Sequence, residues 1–401
     1  MSQTLSVVGG TYHEVCVDPE TDDLYGSALR GAAALGERDF KVELISCIAE
    51  KDFATVTSVC DTFGIAPQFT FIDETVTFLY YHPLSSPDAI GTVLDGIPIQ
   101  LPDFSSDIIL YYGMIEARVA VHGNYVVYDP QNHIPFSATG STAKHLSLVL
   151  NKNEACLLSG ADDNTSLDIV GRSLLTSQKA DVVVIKNGSK GAVIVEKDNY
   201  KEIPVYQTHS VWPIGSGDVF SAVFAWQWAI EHSSPYDAAI IASRYTATYC
   251  QSKLLPLPSS PENLLAITTR TSSKKIYLAG PFFTMSQRWL INEFRTSLTD
   301  FGNEVFSPYH EVGVVQLQDI KSGSIPIAEK DLKGLRQADL ILAILCDSDP
   351  GTLFEIGYAK AIGKEVIIFS ENIKEADLLM LYGTQCTIIS DFSTAVFMAS
   401  W

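Results

Sequence analysis

The segment Asp339-Leu-Ile-Leu-Ala-Ile-Leu345 places six apolar residues in a row. Such an uninterrupted run is typical of a strand in a parallel sheet, because helices cover both faces of the sheet. Similar runs recur along the chain and alternate with longer amphipathic stretches. We therefore expect an α/β fold, with strands at residues 5–8, 42–48, 108–112, 125–128, 182–186, 276–278, 304–306, 340–345, 366–369 and 387–389.

Two domains are expected from the length and from one polar stretch. A chain of 401 residues is longer than one hydrophobic core usually supports. Proline, serine and threonine dominate residues 255–273, and a new apolar run begins directly afterwards. This composition is typical of a linker. The sequence predicts a first domain at 1–262, a linker at 263–273 and a second domain at 274–401.

Composition narrows the class of protein. Hydrophobic residues make up 46 % and charged residues 18 %, which indicates a folded chain with a large core. The net charge of −20 disfavours nucleic-acid binding, but allows one small phosphorylated ligand in a local site. The seven cysteines form no CxxC pair, and neither a signal-like N-terminus nor a long apolar run is present. We expect a cytoplasmic protein with no membrane partner, no zinc site and no disulfides.

A glycine loop ending in an acid is the strongest local signal in the first part. The loop is Trp212-Pro-Ile-Gly215-Ser216-Gly217-Asp218, and an apolar stretch follows it. Small residues let the first amide groups of a helix converge on an anion. A carboxylate at this position could accept the proton of an attacking hydroxyl during phosphoryl transfer. The alternative is an ordinary glycine-rich helix start, in which Asp218 only interacts with the helix dipole.

Two further motifs accompany this loop. Asn151-Lys-Asn-Glu154 follows a stretch that we expect to be helical, and residues 182–192 suggest a strand, a tight turn and a second strand. In order and spacing, the three motifs resemble those of the ribokinase-like (PfkB) family of sugar and nucleoside kinases. The resemblance covers about residues 1–262 and implies a three-layer α/β/α domain.

The resemblance also implies roles for individual residues. Asp218 would be the catalytic base, and the acceptor would be a sugar or nucleoside. ATP and Mg²⁺ would be the cofactors. The residues implied to hold them are Gly215, Ser216 and Gly217 in the anion hole, Asn151 and Glu154 beside the magnesium, and Lys186, Gly188 and Gly191 near the nucleotide.

On the acceptor side, the resemblance implies Glu14, Gly26 and Arg30 as substrate-binding residues. Arg30 stands where the family usually has asparagine. Trp212, Pro213 and Ile214 replace an acidic and hydroxyl-bearing motif that often supports a monovalent cation. The loss of these acidic and hydroxyl groups argues against activation by a monovalent cation.

In the second part, the candidate functional residues come directly after the strand predicted at 340–345. The sequence Asp349-Pro-Gly-Thr352-Leu-Phe-Glu355 fits a helix N-terminus, with Asp349 as N-cap and a capping box from Thr352 to Glu355. Yet Glu355 is followed by small or apolar residues, and it lies close to the carboxyl end of a buried strand. Ligands bind at such strand ends in α/β sheets, so this carboxylate is also a candidate for a cleft.

The second part resembles the nucleoside 2-deoxyribosyltransferase family over about residues 274–390. The resemblance rests on Ile276-Tyr277-Leu-Ala-Gly280, on Asp331-Leu-Lys-Gly-Leu, and on the six-residue spacing from Asp349 to Glu355. It implies a smaller flavodoxin-like parallel-sheet domain. Glu355 would attack C1′ and form a covalent intermediate, which is the chemistry of a retaining glycosidase. The other residues implied in the site are Asp331 and Asp349 for the base and its proton, Tyr277 for positioning Glu355, and Gly280 and Met380 for substrate binding.

Taken together, the motifs predict a bifunctional enzyme of nucleoside metabolism. An ATP-dependent kinase would be joined to a deoxyribosyltransferase or N-glycosidase, and the transferase resemblance implies a homo-oligomer because that family builds its site across subunits. The alternative is a regulatory protein in which a degenerate kinase domain senses a nucleotide and gates the glycosidase.

Overall fold

The computed structural model describes residues 3–91, 96–131, 133–267, 273–313, 320–371 and 373–401. Its contacts divide the chain into two compact units, Met1–Thr269 and Arg270–Trp401. This division falls within the predicted linker 263–273, of which residues 268–272 lie outside the described ranges. The two units are therefore described separately.

The first unit is organised around a ten-stranded, mainly parallel sheet. Its order is β16-β15-β14-β13-β12-β10-β1-β4-β5, and β9 also pairs with β12. Only β15 and β16 run antiparallel to their neighbours, at one edge of the sheet. The strands are β1 (Thr4–Val8), β4 (Lys41–Ala49), β5 (Ile65–Ile72), β9 (Phe104–Ser105), β10 (Ile108–Tyr112), β12 (Val121–Asp129), β13 (Thr142–Asn151), β14 (Val182–Lys186), β15 (Ala192–Glu196) and β16 (Tyr200–Ile203).

Helices cover both faces of this sheet and produce the predicted three layers. Alternate residues of β10 show the arrangement, because Leu110 packs with one core cluster and Ile109 with the other. On one face lie α1 (Gly26–Ala34), α2 (Phe53–Phe63), α5 (Ser216–Ala225) and α6 (Pro235–Ser252), and on the other lie α3 (Lys152–Ser159) and α4 (Leu167–Gln178).

A smaller four-stranded sheet has the order β3-β2-β6-β7. It contains β2 (His13–Cys16), β3 (Thr21–Leu24), β6 (Thr77–Tyr80) and β7 (Asp88–Ile90). In its parallel pair, Glu14 of β2 lies opposite Phe78 of β6. The remaining short strands form two pairs, β8 (Ile99–Gln100) with β11 (Ala117–Arg118) and β17 (Val205–Tyr206) with β18 (Ala266–Ile267).

One local prediction is wrong. The stretch before Asn151, expected to be helical, is the long strand β13. Its buried part, residues 146–150, pairs with β12 on one side and β14 on the other, so the nearly continuous apolarity here reflects a central parallel strand. Short apolar runs do not distinguish a buried strand from a buried helix by periodicity alone.

The second unit contains a five-stranded sheet whose pairs are all parallel. Its strands are β19 (Lys275–Ala279), β20 (Glu304–Phe306), β21 (Leu340–Leu345), β22 (Glu365–Ser370) and β23 (Thr387–Ile389). The order β20-β19-β21-β22-β23 corresponds to the 2-1-3-4-5 order of flavodoxin-like folds, as expected from the sequence. The helices are α7 (Met285–Asp300), α8 (Pro308–Glu311), α9 (Ile320–Gln337), α10 (Pro350–Ala361), α11 (Leu379–Gly383) and α12 (Phe392–Ser400).

Within the described ranges, no helix combines the length and the apolarity needed to cross a bilayer.

Candidate active sites

A cavity of about 510 Å³ lies in the first unit where several parallel strands end. The carboxyl ends of β12, β13 and β14 and the N-terminus of α5 contribute to it, together with the four-stranded sheet. Most residues predicted from the first set of motifs line this one cavity. They are Glu14, Asn151, Glu154, Lys186, Gly188, Gly215, Ser216, Gly217 and Asp218.

The glycine loop starts α5 as the sequence indicates. Gly215 has φ +77°, a left-handed conformation that favours glycine, and Ser216 is the first residue of the helix. A Cβ atom at Gly215 would lie 2.2 Å from Cδ of Arg30, so the arginine side chain packs directly against the loop. The amide groups of the first helical turn thus reach the cavity beside Asp218, where they can bind an anion.

Asp218 is held by two donors from its own chain. Nη1 of Arg30 donates to Oδ2 at 3.2 Å, and Nε2 of Gln131 donates to Oδ1 at 2.9 Å. Ser27 fixes Gln131 by donating to its Oε1 atom at 2.6 Å. Burial raises the pKa of Asp218 to about 6, although Arg30 acts in the opposite direction. A carboxylate with this pKa can both accept and release a proton near neutral pH.

Arg30 is the most unusual residue of this site. Its side chain is only 3 % exposed and forms a two-pronged ion pair with Glu14, in addition to its bond with Asp218. Burial by itself would lower the pKa of the guanidinium, but Glu14, Tyr249 and Asp218 together outweigh that effect and raise it. Arg30 does not line the cavity, and it reaches the site only through Glu14, Asp218 and Gly215.

The other two residues of the predicted set that do not line the cavity are glycines. Gly26 has φ +62°, and a Cβ atom there would lie 2.6 Å from the backbone nitrogen of Tyr12. Gly191 has φ +79° and lies in the tight turn between β14 and β15, where a Cβ atom would lie 2.2 Å from the carbonyl oxygen of Ile203. In this structure both glycines serve close backbone packing.

Lys186 lies beside the anion-binding loop. Its Nζ atom donates to Oδ2 of Asp129 at 2.8 Å, and it lies 3.2 Å from the position that a Cβ atom of Gly217 would occupy. Ser221 also donates to this Asp129 oxygen, at 2.7 Å. A phosphate bound at the loop would therefore lie next to a fixed ammonium group.

Asn151 and Glu154 form a capping box at the start of α3. The side chain of Asn151 accepts from the Glu154 amide at 2.9 Å, and Oε2 of Glu154 accepts from the Asn151 amide at 2.8 Å. Burial raises the pKa of Glu154, and Asp129 adds to that effect. Within the described ranges, no three His, Cys, Asp or Glu residues are grouped closely enough to hold a metal ion by themselves.

Asp129 and Gln131 were not found from the sequence. Asp129 ends β12 and Gln131 lies two residues beyond it, and both contact residues that are 57 to 104 positions away along the chain. No local motif marks them, although Asp129 stands at the end of a predicted apolar strand, where site residues are expected.

Trp212, one of the departures from the family pattern, makes a cation–π contact with a lysine of the same chain. Nζ of Lys253 lies 3.4 Å from the centre of the Trp212 ring, a cation–π contact. Lys253 itself follows α6 and has φ +56°. Trp212, three residues before Gly215, is therefore in contact with a cationic side chain of the protein.

In the second unit, Glu355 pairs with a buried tyrosine. The hydroxyl of Tyr277 on β19 donates to Oε1 of Glu355 on α10 at 2.5 Å. The tyrosine is fully buried, and its ring stacks on Phe306 with centroids 5.3 Å apart. Burial raises the pKa of Glu355 to about 7, while the Tyr277 hydrogen bond acts to lower it. The capping-box alternative fails for Glu355, because its carboxylate faces β19 and Asp349 caps the helix.

Asp331 and Asp349 complete a group of carboxylates around Glu355. Both lie close enough to raise the pKa of Glu355. Asp331 lies on α9, where burial raises its own pKa and its buried Oδ1 atom has no hydrogen-bond partner among the residues that the structure describes. Asp349 caps α10, since its Oδ2 atom accepts from the Thr352 amide at 2.7 Å and from the Thr352 hydroxyl at 2.8 Å.

The loop that delivers Asp349 has an unusual backbone. Asp347 and Ser348 are consecutive non-glycine residues with φ values of +51° and +52°. Such conformations cost free energy and are concentrated at functional sites. The sequence did not indicate this strain.

Neither Gly280 nor Met380 is shown in contact with the carboxylates in the described part of the chain. Gly280 follows β19, and a Cβ atom there would lie 2.9 Å from Cδ1 of Ile291 and 3.0 Å from Cβ of Ile344, so glycine is needed for packing. Met380 lies on α11 with its side chain 72 % exposed.

Comparison with known families agrees with this division into two sites. The family model of the pfkB family carbohydrate kinases matches residues 121–261, and that of nucleoside 2-deoxyribosyltransferase matches residues 276–392. A PfkB kinase domain and a nucleoside deoxyribosyltransferase domain are therefore both present in this chain.

Individual relatives are more distant. An uncharacterized protein of Ureaplasma parvum serovar 3 is 33 % identical over 100 residues, which cover 23 % of this chain and 63 % of that protein. The chain thus matches less than two thirds of this curated relative's length.

Similar solved structures are kinases of the ribokinase type. Ribokinase from Thermotoga maritima is 18 % identical, with a TM-score of 0.47 and coverage of 64 % of this chain and 96 % of that chain. A double mutant of fructokinase from Vibrio cholerae O395, solved with fructose, ADP and potassium, is 13 % identical, with a TM-score of 0.47 and coverage of 63 % of this chain and 93 % of that chain. A pyrophosphate-dependent kinase of the ribokinase family, solved with a pyrophosphate analog and myo-inositol, is 14 % identical. Its TM-score is 0.43, and the match covers 63 % of this chain and 96 % of that chain.

Proposed function

We propose that the first unit transfers the terminal phosphoryl group of ATP to a hydroxyl of a sugar or nucleoside. The proposal rests chiefly on Asp218, whose carboxylate lines the cavity beside the anion-binding turn of α5. In the reaction, the acceptor oxygen attacks the γ-phosphorus, its proton passes to Asp218, and ADP leaves. The loop amides and Lys186 balance the charge of the phosphates.

The donor set in the cavity fits a magnesium ion that keeps its own waters. Mg²⁺ is usually held by one or two carboxylates together with substrate phosphates. Glu154 and Asp129 both line the cavity, and burial and the negative charge of Asp129 raise the pKa of Glu154. A divalent cation bound there would reduce the repulsion between the two carboxylates. When bound, the ion would neutralise charge on the transferring phosphoryl group. Asn151 would orient Glu154 through the capping box.

For the second unit, we propose N-glycosidic bond cleavage or deoxyribosyl transfer through Glu355. The Tyr277–Glu355 hydrogen bond supports this proposal, because it fixes a carboxylate that is otherwise costly to bury. The carboxylate would attack C1′ while the C1′–N bond breaks and the base leaves. Asp331 would supply the proton of the leaving base, since burial raises its pKa. Water or a second base would then release the glycosyl group.

The pH dependence of base release tests the role of Tyr277. Glu355 must be ionised to attack, and its pKa is about 7, so kcat/KM should fall about tenfold per pH unit below that value. Tyr277→Phe removes a bond that stabilises the carboxylate, so the midpoint should move to higher pH. The ring and its stacking on Phe306 would remain.

Tyr358→Phe is the matched control for this experiment. It removes a hydroxyl from α10, the helix that carries Glu355, but that hydroxyl bonds to Arg336. The control should keep the wild-type midpoint. An unchanged midpoint in Tyr277→Phe would contradict the proposed role of the tyrosine.

We also propose that the chain forms a homo-oligomer through the surface around α11. Leu379 and Met380 are each 72 % exposed and Tyr382 is 51 % exposed, so neighbouring large apolar side chains contact solvent in the isolated chain. Light scattering at micromolar concentration should give a mass of at least two chains, and Met380→Glu should lower it. A mass of one chain for the wild type would count against an active site that is shared between subunits.

The regulatory alternative is favoured by one observation, the Arg30–Asp218 ion pair, which engages the proposed base. In that function the first unit binds a nucleotide without turnover and changes the rate of base release. The test is to incubate the full chain with ATP, Mg²⁺ and a panel of sugars and nucleosides, and to separate the products. Phosphorylated product supports the kinase, whereas ATP-dependent base release without any such product supports the sensor.

A further inference from the structure

The cavity of the first unit has an aromatic wall that its proposed chemistry does not use. Tyr12, Phe78 and Tyr80 all line the cavity. Phe78 and Tyr80 are two residues apart on β6, so their side chains lie on the same face of the four-stranded sheet. The ring of Tyr12 packs edge-on against Phe78, with centroids 5.1 Å apart and an interplanar angle of 79°. We call these three residues the aromatic wall.

The aromatic wall adjoins the proposed chemistry. Phe78 is the strand partner of Glu14, and burial raises the pKa of Tyr80 with Glu14 and Asp218 adding to that effect. An acceptor hydroxyl at Asp218 would therefore belong to a molecule whose remaining atoms meet aromatic rings. Rings of this kind stack on flat, conjugated groups such as nucleobases.

The ion pairs of Arg30 also disfavour a free sugar as the acceptor. A free sugar presents a hydroxyl on nearly every carbon, and its recognition needs polar groups with unused hydrogen-bonding capacity. Both oxygens of Glu14 accept from Arg30, and both oxygens of Asp218 accept from Arg30 and Gln131. Arg30 and Gln131 thus occupy one acceptor site on each of these four oxygens, which leaves the two carboxylates with less capacity for the many hydroxyls of a free sugar.

Arg30 also offers little to an anionic acceptor. It is almost completely buried, and its charge is already balanced by two carboxylates. An acceptor phosphate beside Glu14 and Asp218 would be repelled by them. From the aromatic wall and the Arg30 ion pairs, we infer that the acceptor of the first unit is an unphosphorylated nucleoside, with its base stacked on the aromatic wall. This inference rests on the kinase function proposed above.

The test compares acceptors in the full chain. We expect wild-type kcat/KM for phosphorylation to be at least about tenfold higher for the best nucleoside than for ribose, 2-deoxyribose or fructose, and for nucleoside 5′-monophosphates to be poor acceptors. Phe78→Leu keeps an apolar side chain of similar size but removes the ring. It should lower the nucleoside-to-sugar ratio of kcat/KM about tenfold, and Phe78→Tyr should restore the ratio. Tyr81→Ala is the control, because this exposed tyrosine does not line the cavity.

A second readout does not require turnover. Photolabelling with 8-azidoadenosine and 5-azidouridine, one purine and one pyrimidine probe, should modify peptides that contain residues 77–80, in the wild type and in Asp218→Asn alike. Labelling there without any phosphorylated product would support nucleoside binding at the aromatic wall but overturn the kinase function, so the bound nucleoside would then not be an acceptor. Phosphorylation of free sugars as efficiently as nucleosides, with an unchanged ratio in Phe78→Leu, would overturn the inference and leave the kinase standing.

Discussion

Glu355→Gln should reduce base release from 2′-deoxynucleosides to background while the protein stays folded. Glutamine has nearly the same shape as glutamate and can still accept a hydrogen bond from Tyr277, but it cannot attack C1′ as an anion. Because Asp349, and not Glu355, caps α10, the substitution should cost about 1 kcal/mol or less in unfolding free energy. Base release is followed by chromatography, and stability by thermal or denaturant unfolding.

Glu329→Gln is the matched control for this variant. It makes the same chemical change on α9, at an exposed position two residues before Asp331. The control should keep wild-type base release. Wild-type glycosidase activity in Glu355→Gln would remove Glu355 from the mechanism.

Asp218→Asn should lower ATP-dependent phosphorylation by at least about 100-fold, the lower range for loss of a general base. The amide keeps one of the two oxygens that accept from Arg30 and Gln131, but it replaces the other with an NH₂ donor and cannot take up the proton of the acceptor hydroxyl. It also leaves Arg30 with one carboxylate partner fewer, so we measure nucleotide binding in parallel and expect it to survive.

Asp237→Asn separates general-base chemistry from a mere helix-dipole effect. Asp237 lies in the first turn of α6 as Asp218 lies in the first turn of α5, so the two substitutions remove equivalent charges from two helix N-termini. Only the change at Asp218 should affect phosphorylation. Equal phosphorylation by Asp218→Asn and the wild type would exclude Asp218 as the base.

The fold was largely predictable because its strands are buried on both faces. The predicted bounds coincide with β10, β14, β20, β21 and β23, and three of these, β10, β14 and β21, are buried apolar runs. The same continuous apolarity hid the strand character of β13. The four-stranded sheet was not predicted, since β2 and β3 are polar or mixed and carry no such run.

The sites were predictable where their residues share a local motif. The loop at Gly215 to Asp218 and the spacing from Asp349 to Glu355 are visible in the sequence. Asp129 and Gln131 were not found, because they join the site only through contacts between distant parts of the chain. Arg30 was singled out as a departure from the family pattern, but its ion pairs with two carboxylates follow from three-dimensional packing that no spacing reveals.

The most direct test of the account is the detection of a covalent intermediate on Glu355. A 2′-deoxy-2′-fluoronucleoside slows both steps of a retaining mechanism, so the glycosyl-enzyme should accumulate when the base is a good leaving group. After incubation with the full chain, mass spectrometry of its peptides should show one fluorodeoxyribosyl group on Glu355 and none in the Glu355→Gln variant. Release of the base with no adduct, or an adduct on a different residue, would contradict the proposed mechanism.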